Sequence, residues 1–164
     1  MVDHKNLKNL RFRYPTSKLS HIGINYLDDI IKSSNIENIS GLRDDEYSYF
    51  FEKLLDNFFR GGNPNFKLYN KNINDDLIFK LSDIIKKKEI NYLKEIELSF
   101  NEITSKGFSM LVDSLLQSKN ENIIKIRMNN NKLDDNCIES LGELIKKNEN
   151  MSYIHLGCNY ITDK

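Results

Sequence analysis

The sequence predicts an α/β solenoid in which short parallel strands alternate with helices, over about five and a half repeats. Three observations carry this expectation. First, Leu93, Ile96, Leu98, Asn101 and Ile103 recur as Ile123, Ile126, Met128, Asn131 and Leu133, and again as Met151, Ile154, Leu156, Asn159 and Ile161. That spacing reads as a strand entering a tight turn, and a recurrence of this length marks a stacked array. Second, the apolar period changes from about 2 to about 3.6 residues between the strands, as it does when a strand gives way to a helix. Third, the residue after the last turn hydrophobe is Ser20, Asn74, Thr104, Asp134 or Thr162. All five can accept a hydrogen bond from free amides at a helix start.

The elements follow in order. The first copy begins at Leu7 with Leu10 and Phe12, carries an insertion around Tyr14, Pro15 and Thr16, and re-enters the register at Leu19. A weaker copy starts at Ile36, with Ile39, Gly41 and Asp44 in the strand and turn columns. Later copies start near Asn63, Leu93, Ile123 and Met151, so successive starts lie 29, 27, 30, 30 and 28 residues apart. The helices between them show apolar stripes: Phe50, Phe51, Leu54, Leu55 and Phe58; Leu77, Ile78, Leu81, Ile84 and Ile85; Phe108, Leu111, Val112 and Leu115; Ile138, Leu141, Leu144 and Ile145. Each is one face of an amphipathic helix. "RGGNP" at Arg60–Pro64 lacks the spacing of a phosphate loop and reads as a glycine-closed helix end. Residues 1–164 are expected to form a single domain, its last repeat incomplete.

The polar column Asn101, Asn131 and Asn159 sits where the chain turns inward. A buried amide is tolerated there if it satisfies the backbone of a neighbouring turn. Lys71 occupies this column in the third copy, and a lysine has no acceptor, so a looser turn is expected. Asp44 is a partial substitute in the second copy.

With these motifs in view, the chain resembles the ribonuclease-inhibitor-like class of leucine-rich repeats, most closely in "LKEIELSFNEITSKGFSMLVDSLLQ". The resemblance implies a curved solenoid with a concave parallel β-sheet and convex helices. It says little about role, because the class includes nuclease inhibitors, GTPase activators, actin-capping proteins and innate-immunity sensors.

Composition excludes several classes. Twenty-four basic and 24 acidic side chains give a formal charge of 0, so neither nucleic acid nor membrane is indicated as a partner. Met1–Leu10 is too polar for a signal peptide and no apolar run approaches about 18 residues, so a cytoplasmic location is expected. Cys137 and Cys158 do not make a disulfide framework and read as free thiols, Cys137 in the column of Gly107. The sequons at Asn38 and Asn150 read as chance matches. His4, His21 and His155 lack metal-ligand spacing. Acidic pairs such as Asp75-Asp76 and Asp134-Asp135 read as helix-start complementation. No catalytic residues and no cofactor are expected.

Function should therefore lie on the strand face turned away from the helices. Its basic residues would be Lys8, Arg11, Arg13, Arg43, Lys67, Lys94, Lys125 and Arg127, and its acidic ones Glu37, Glu95 and Glu97. Eight minus three leaves +5, joined by the aromatics Tyr14, Tyr69, Phe100 and Tyr153. The reading is a non-enzymatic protein-binding module. Its partner site would be Arg43, Lys67, Tyr69, Phe100, Arg127, Tyr153 and His155, and its partner another protein, with a preference for an acidic one. The alternatives are a small-GTPase regulator and an actin-capping protein resembling the tropomodulin repeat domain. The incomplete last repeat predicts fraying or self-association through an uncovered edge.

Overall fold

A computed structural model describes residues 8–12, 19–34, 36, 38–40, 42 and 44–162. The chain divides into two compact units, Met1–Gly62 and Asn63–Lys164. The first copy's insertion at Tyr14–Thr16 and the face residues Arg13, Glu37 and Arg43 lie outside the described residues.

In the first unit, β1 (Asn9–Arg11) pairs in parallel with β2 (Asn38–Ser40), Leu10 opposite Ile39. Between them runs α1 (His21–Ser33), started by the Ser20 hydroxyl, which accepts from the Gly23 amide at 3.1 Å. After β2 comes α2 (Asp44–Arg60). Its expected stripe Phe50, Phe51, Leu54, Leu55 and Phe58 is buried. Asn57, also buried, donates to the carbonyls of Ile31 and Ile36 at 3.0 and 2.9 Å and closes the end of α1. Asp28 takes both Lys32 and Lys53. Partial burial pushes its carboxyl up, but the two ammonium groups outweigh this and hold it below the usual carboxylate range. Beyond Arg60 the helix closes through Gly62 at φ +63°, as the glycines at Gly61-Gly62 suggest.

The second unit is regular. Strands β3 (Asn65–Lys67), β4 (Glu95–Glu97), β5 (Lys125–Arg127) and β6 (Tyr153–His155) form one parallel sheet in that order, with helices α3 (Asp75–Lys87), α4 (Ser105–Gln117) and α5 (Ile138–Lys147) between them. Phe66, Ile96, Ile126 and Ile154 stand opposite one another, which is the register of the sequence columns. The ladder continues into the turns: the amides of Asn70, Phe100 and Asn130 donate to the carbonyls of Ser99, Asn129 and Gly157 at 2.9–3.0 Å. Each of those three donors, and Cys158 after them, has a left-handed backbone with φ between 51° and 59°.

The asparagine column joins neighbouring repeats. Asn101 Oδ1 accepts from the amides of Lys71 and Ile73 at 2.9 and 3.0 Å, and its Nδ2 donates to the carbonyls of Leu68 and Leu98. Asn131 repeats this toward Ile103, Leu98 and Met128. Asn159 does so toward Leu133, Met128 and Leu156. Each amide thereby satisfies backbone groups that packing has removed from water. Lys71 has no such amide, and its turn differs: Asn72 follows it with a second left-handed φ of 51°. A second buried asparagine works at the helix ends, where Asn148 accepts from Ile123 N at 2.8 Å and donates to Leu144 O at 2.9 Å.

The cap column also does more than start helices. Asn74, Thr104 and Asp134 accept from Leu77, Lys106 and Asn136. In addition, Asp75 at the start of α3 holds Thr104 of the next repeat through its amide and hydroxyl, at 2.9 and 2.5 Å. Asp135 holds Thr162 in the same way, at 2.7 Å twice. These acids are therefore ties between repeats, a role beyond the helix-start complementation expected of them. The bonds to Thr162 hold the Asp135 carboxyl below its usual range.

This tie explains a glycine. A Cβ on Gly107 would lie 2.2 Å from Asp75 Oδ1. In the following repeat the pair is Ser105 and Cys137, a shorter side chain against a larger one, and Cys137 is fully buried. Gly107→Ala should therefore drive the Asp75 carboxylate off Thr104. The lost charge-assisted bonds outweigh the helix preference of alanine, and the fold should lose about 1–2 kcal/mol. Thermal melting of Gly107→Ala beside the double variant Asp75→Ser, Gly107→Ala checks this, with recovery expected in the double variant.

The apolar stripe of α5 departs from expectation. Only Leu144 is buried, while Ile138 and Ile145 are 49% and 42% exposed. Their counterparts Phe108 and Leu115 in α4 are 0% exposed. The difference is physical: α4 is covered by α5, and no described element covers α5 in turn.

Candidate functional site

The open face of the four-stranded sheet is built from two rows. Asn65, Glu95, Lys125 and Tyr153 form one, and Lys67, Glu97, Arg127 and His155 the other, because alternate strand residues point to the same side. The structure thus brings Lys67, Arg127, Tyr153 and His155 onto one surface, as the sequence columns require. Tyr69 and Phe100 lie just beyond β3 and β4, in the turns, and not on the strands themselves. Arg43 lies outside the described residues.

The charges of this face are paired. Glu95 lies between Lys67 at 3.7 Å and Lys125 at 3.5 Å, and Glu97 meets Arg127 at 3.7 Å. Arg127 and Lys125 also sit over the Tyr153 ring, 5.1 and 5.7 Å from its centre. On strands β3 to β6 three sheet-face cations therefore meet two glutamates, a surplus of +1 rather than a basic stripe; Lys94, also expected on this face, lies one residue before β4. The alternation was visible in the columns, but a sum over the face hides it.

At the turn edge Tyr69 and Phe100 form an aromatic pair. Their ring centres are 5.0 Å apart with planes at 52°, and they are 53% and 43% exposed. Phe100 has φ 59°, the left-handed region, where the equivalent positions hold Asn70, Asn130 and Cys158. Asparagine visits that region readily, whereas for a residue with a bulky side chain it costs about 1–2 kcal/mol. In the same turn the Ser99 hydroxyl donates to Asn129 Oδ1 at 2.5 Å, and the Ser99 amide donates to Glu97 Oε1 at 2.9 Å. The turn under Phe100 is thus fixed by polar bonds that owe nothing to the ring.

Other chemistry is sparse. Cys137 is buried and Cys158 exposed, both as free thiols. Burial, then the nearby Asp134, push the Cys137 thiol up. His155 packs edge-on to Tyr153 at 6.4 Å. Among the described residues no cluster of His, Cys, Asp and Glu could hold a metal ion, and no helix is long and apolar enough to cross a membrane.

A unit of short strand, asparagine turn and helix, stacked in parallel register, is the leucine-rich repeat, and the second unit is built of it. No family model matches the chain, and no curated protein matches it in sequence. Among solved structures, the chain is similar to the Actin-Binding Site 2 of leiomodin-1, with 12% identity, a TM-score of 0.48, and coverage of 69% of this chain and 62% of that one. It is also similar to an internalin from Listeria monocytogenes, with 18% identity, a TM-score of 0.47, and coverage of 97% and 44%. The chain spans less than two thirds of the length of either.

Proposed function

We propose that this chain is a protein-binding module of the ribonuclease-inhibitor-like class that takes its partner on the open, concave strand face of Asn63–Lys164. Helices of 13, 13 and 10 residues between successive strands support the subclass. The observation that carries the binding site is the Tyr69–Phe100 pair. Two large rings stand half in water, and one is held on a backbone conformation that asparagine would adopt at less cost. Strain of this kind clusters where a side chain is needed for recognition. Aromatic and arginine side chains are also the types that dominate binding energy. Tyr69 and Phe100 are the anchors in this reading, with Lys67, Arg127, Tyr153 and His155 as the charged and polar surround. The surplus of one cation favours an acidic partner only weakly, because each incoming carboxylate competes with Glu95 or Glu97. Affinity measurements on a partner recovered with this chain as bait, using the variants argued in the Discussion, test the site.

A second surface is favoured by a separate observation. Ile138, Ile145 and Ile154 are exposed at 49%, 42% and 36%, and among the described strands β6 pairs with β5 alone. Apolar side chains beside an unpaired strand edge invite association. We infer that this end self-associates in the isolated chain. Sedimentation should show dimer at high concentration, and Ile145→Lys with Ile154→Lys should return it to monomer. A monomer at all concentrations contradicts this.

A further inference from the structure

We propose that the groove between α3 and α4 is a second docking site, which takes an extended partner segment carrying a basic side chain at about every third residue. The groove has a volume of about 430 Å³ and lies on the helices, away from the strand face. Four features coincide in it. Phe79 is 62% exposed, at a helix position where the following repeats carry Ser109 and Glu139. Met110 of α4 extends the apolar lining. Asp76, Asp83 and Asp113 supply carboxylates along it. Ser82 also lines the groove; it is 4% exposed and its hydroxyl has no hydrogen-bond partner among the described residues.

The hydroxyl is the informative feature. In the next repeat the same column holds Val112, fully buried, so the core accepts an apolar side chain at this position. A buried hydroxyl without a partner is rare in folded proteins and calls for a reason. With a turn of the Ser82 side chain toward the groove, an incoming donor would supply the missing bond. A lysine or arginine fits the remaining chemistry: its methylene stem covers Phe79 and Met110 while its charged head reaches the aspartates. A cation over the Phe79 ring adds a favourable contact. Lys86 and Lys106 border the groove as well, and Asp83 already takes Lys87 at 2.6 Å in an exposed pair. The site thus suits basic side chains placed at intervals rather than a dense basic run.

Spacing follows from the repeat. Asp83 and Asp113 occupy one column, which Glu143 continues on α5. Packed helices lie about 8–10 Å apart, and a segment extended as polyproline II rises about 3.1 Å per residue and returns to the same face at every third residue. A basic residue at every third position therefore meets one acid per helix.

The test is a titration of the ¹⁵N-labelled full chain with a synthetic peptide of repeated Arg-Leu-Gly, beside peptides of repeated Glu-Leu-Gly and repeated Arg-Gly. The first should shift the amides of Phe79, Ser82, Met110 and Asp113. Asp83→Asn with Asp113→Asn should weaken it at least tenfold, as should Phe79→Ser, with folding unchanged because these side chains are not core. Tyr69→Ala should leave this binding intact, which separates it from the strand-face reading. The proposal is overturned if the first peptide fails to bind at millimolar concentration. It is equally overturned if the shifts gather around Glu95 and Glu97, if the glutamate peptide binds as well, or if the Asn and Ser variants bind unchanged.

Discussion

Asn131→Leu should destabilise the protein by about 1–3 kcal/mol, the largest loss expected from any single turn substitution apart from the equivalent change at Asn101. Asn131 is 6% exposed. Its removal strands the Ile103 amide, now bonded at 3.0 Å, and leaves the Leu98 and Met128 carbonyls each with one partner fewer. Each buried backbone group left unpaired costs about 1–3 kcal/mol, and leucine returns part of this through its apolar surface. Lys71→Leu should be much milder. That side chain contributes no amide to the column, and burial already pushes its ammonium below the usual range. Urea unfolding of the two variants, compared at one pH, checks the difference. Equal losses would mean that the asparagine bonds between repeats do not hold this unit together.

The columns of the repeat made most of this unit legible in advance. The strand register from Phe66 to Ile154, the three helices from α3 to α5 and the satisfied asparagines all follow from residues that recur at fixed distances. What stayed hidden depends on pairs between repeats. Asp75 and Thr104 are 29 residues apart, and nothing local to either shows that they bond. The same holds for Glu95, whose sign in the charge count was plain but whose place between Lys67 and Lys125 requires three strands side by side. The strain at Phe100 was also out of reach, since a turn's φ is not written in its hydrophobic pattern. It becomes visible only when Asn70 and Asn130 are seen to share its conformation. The exposed faces of Ile138 and Ile145 came from a different cause. Their spacing is that of a core helix, but burial needs a neighbour as well as a pattern.

The second large effect concerns binding. Tyr69→Ala and Phe100→Ala should each weaken partner affinity by about 2 kcal/mol or more, the range of a binding hot spot, which is roughly 30-fold. Neither ring belongs to the buried core, so melting should change little. A substitution on α5 such as Lys147→Glu should leave affinity unchanged. Loss of binding in Lys147→Glu with no loss in the aromatic variants would place the partner on the helices.

Phe100→Asn tests the strand-face reading most directly, because it separates recognition from folding. Asparagine is at home in the left-handed conformation that Phe100 holds at φ 59°. The relief of about 1 kcal/mol offsets the lost contact with Tyr69, worth about 0.5–1.5 kcal/mol. Calorimetric titration of the recovered partner against Phe100→Asn should therefore show a loss of about 30-fold in affinity, with a melting midpoint equal to or above that of the parent chain. Parent-like affinity in a fully folded Phe100→Asn protein would contradict the account.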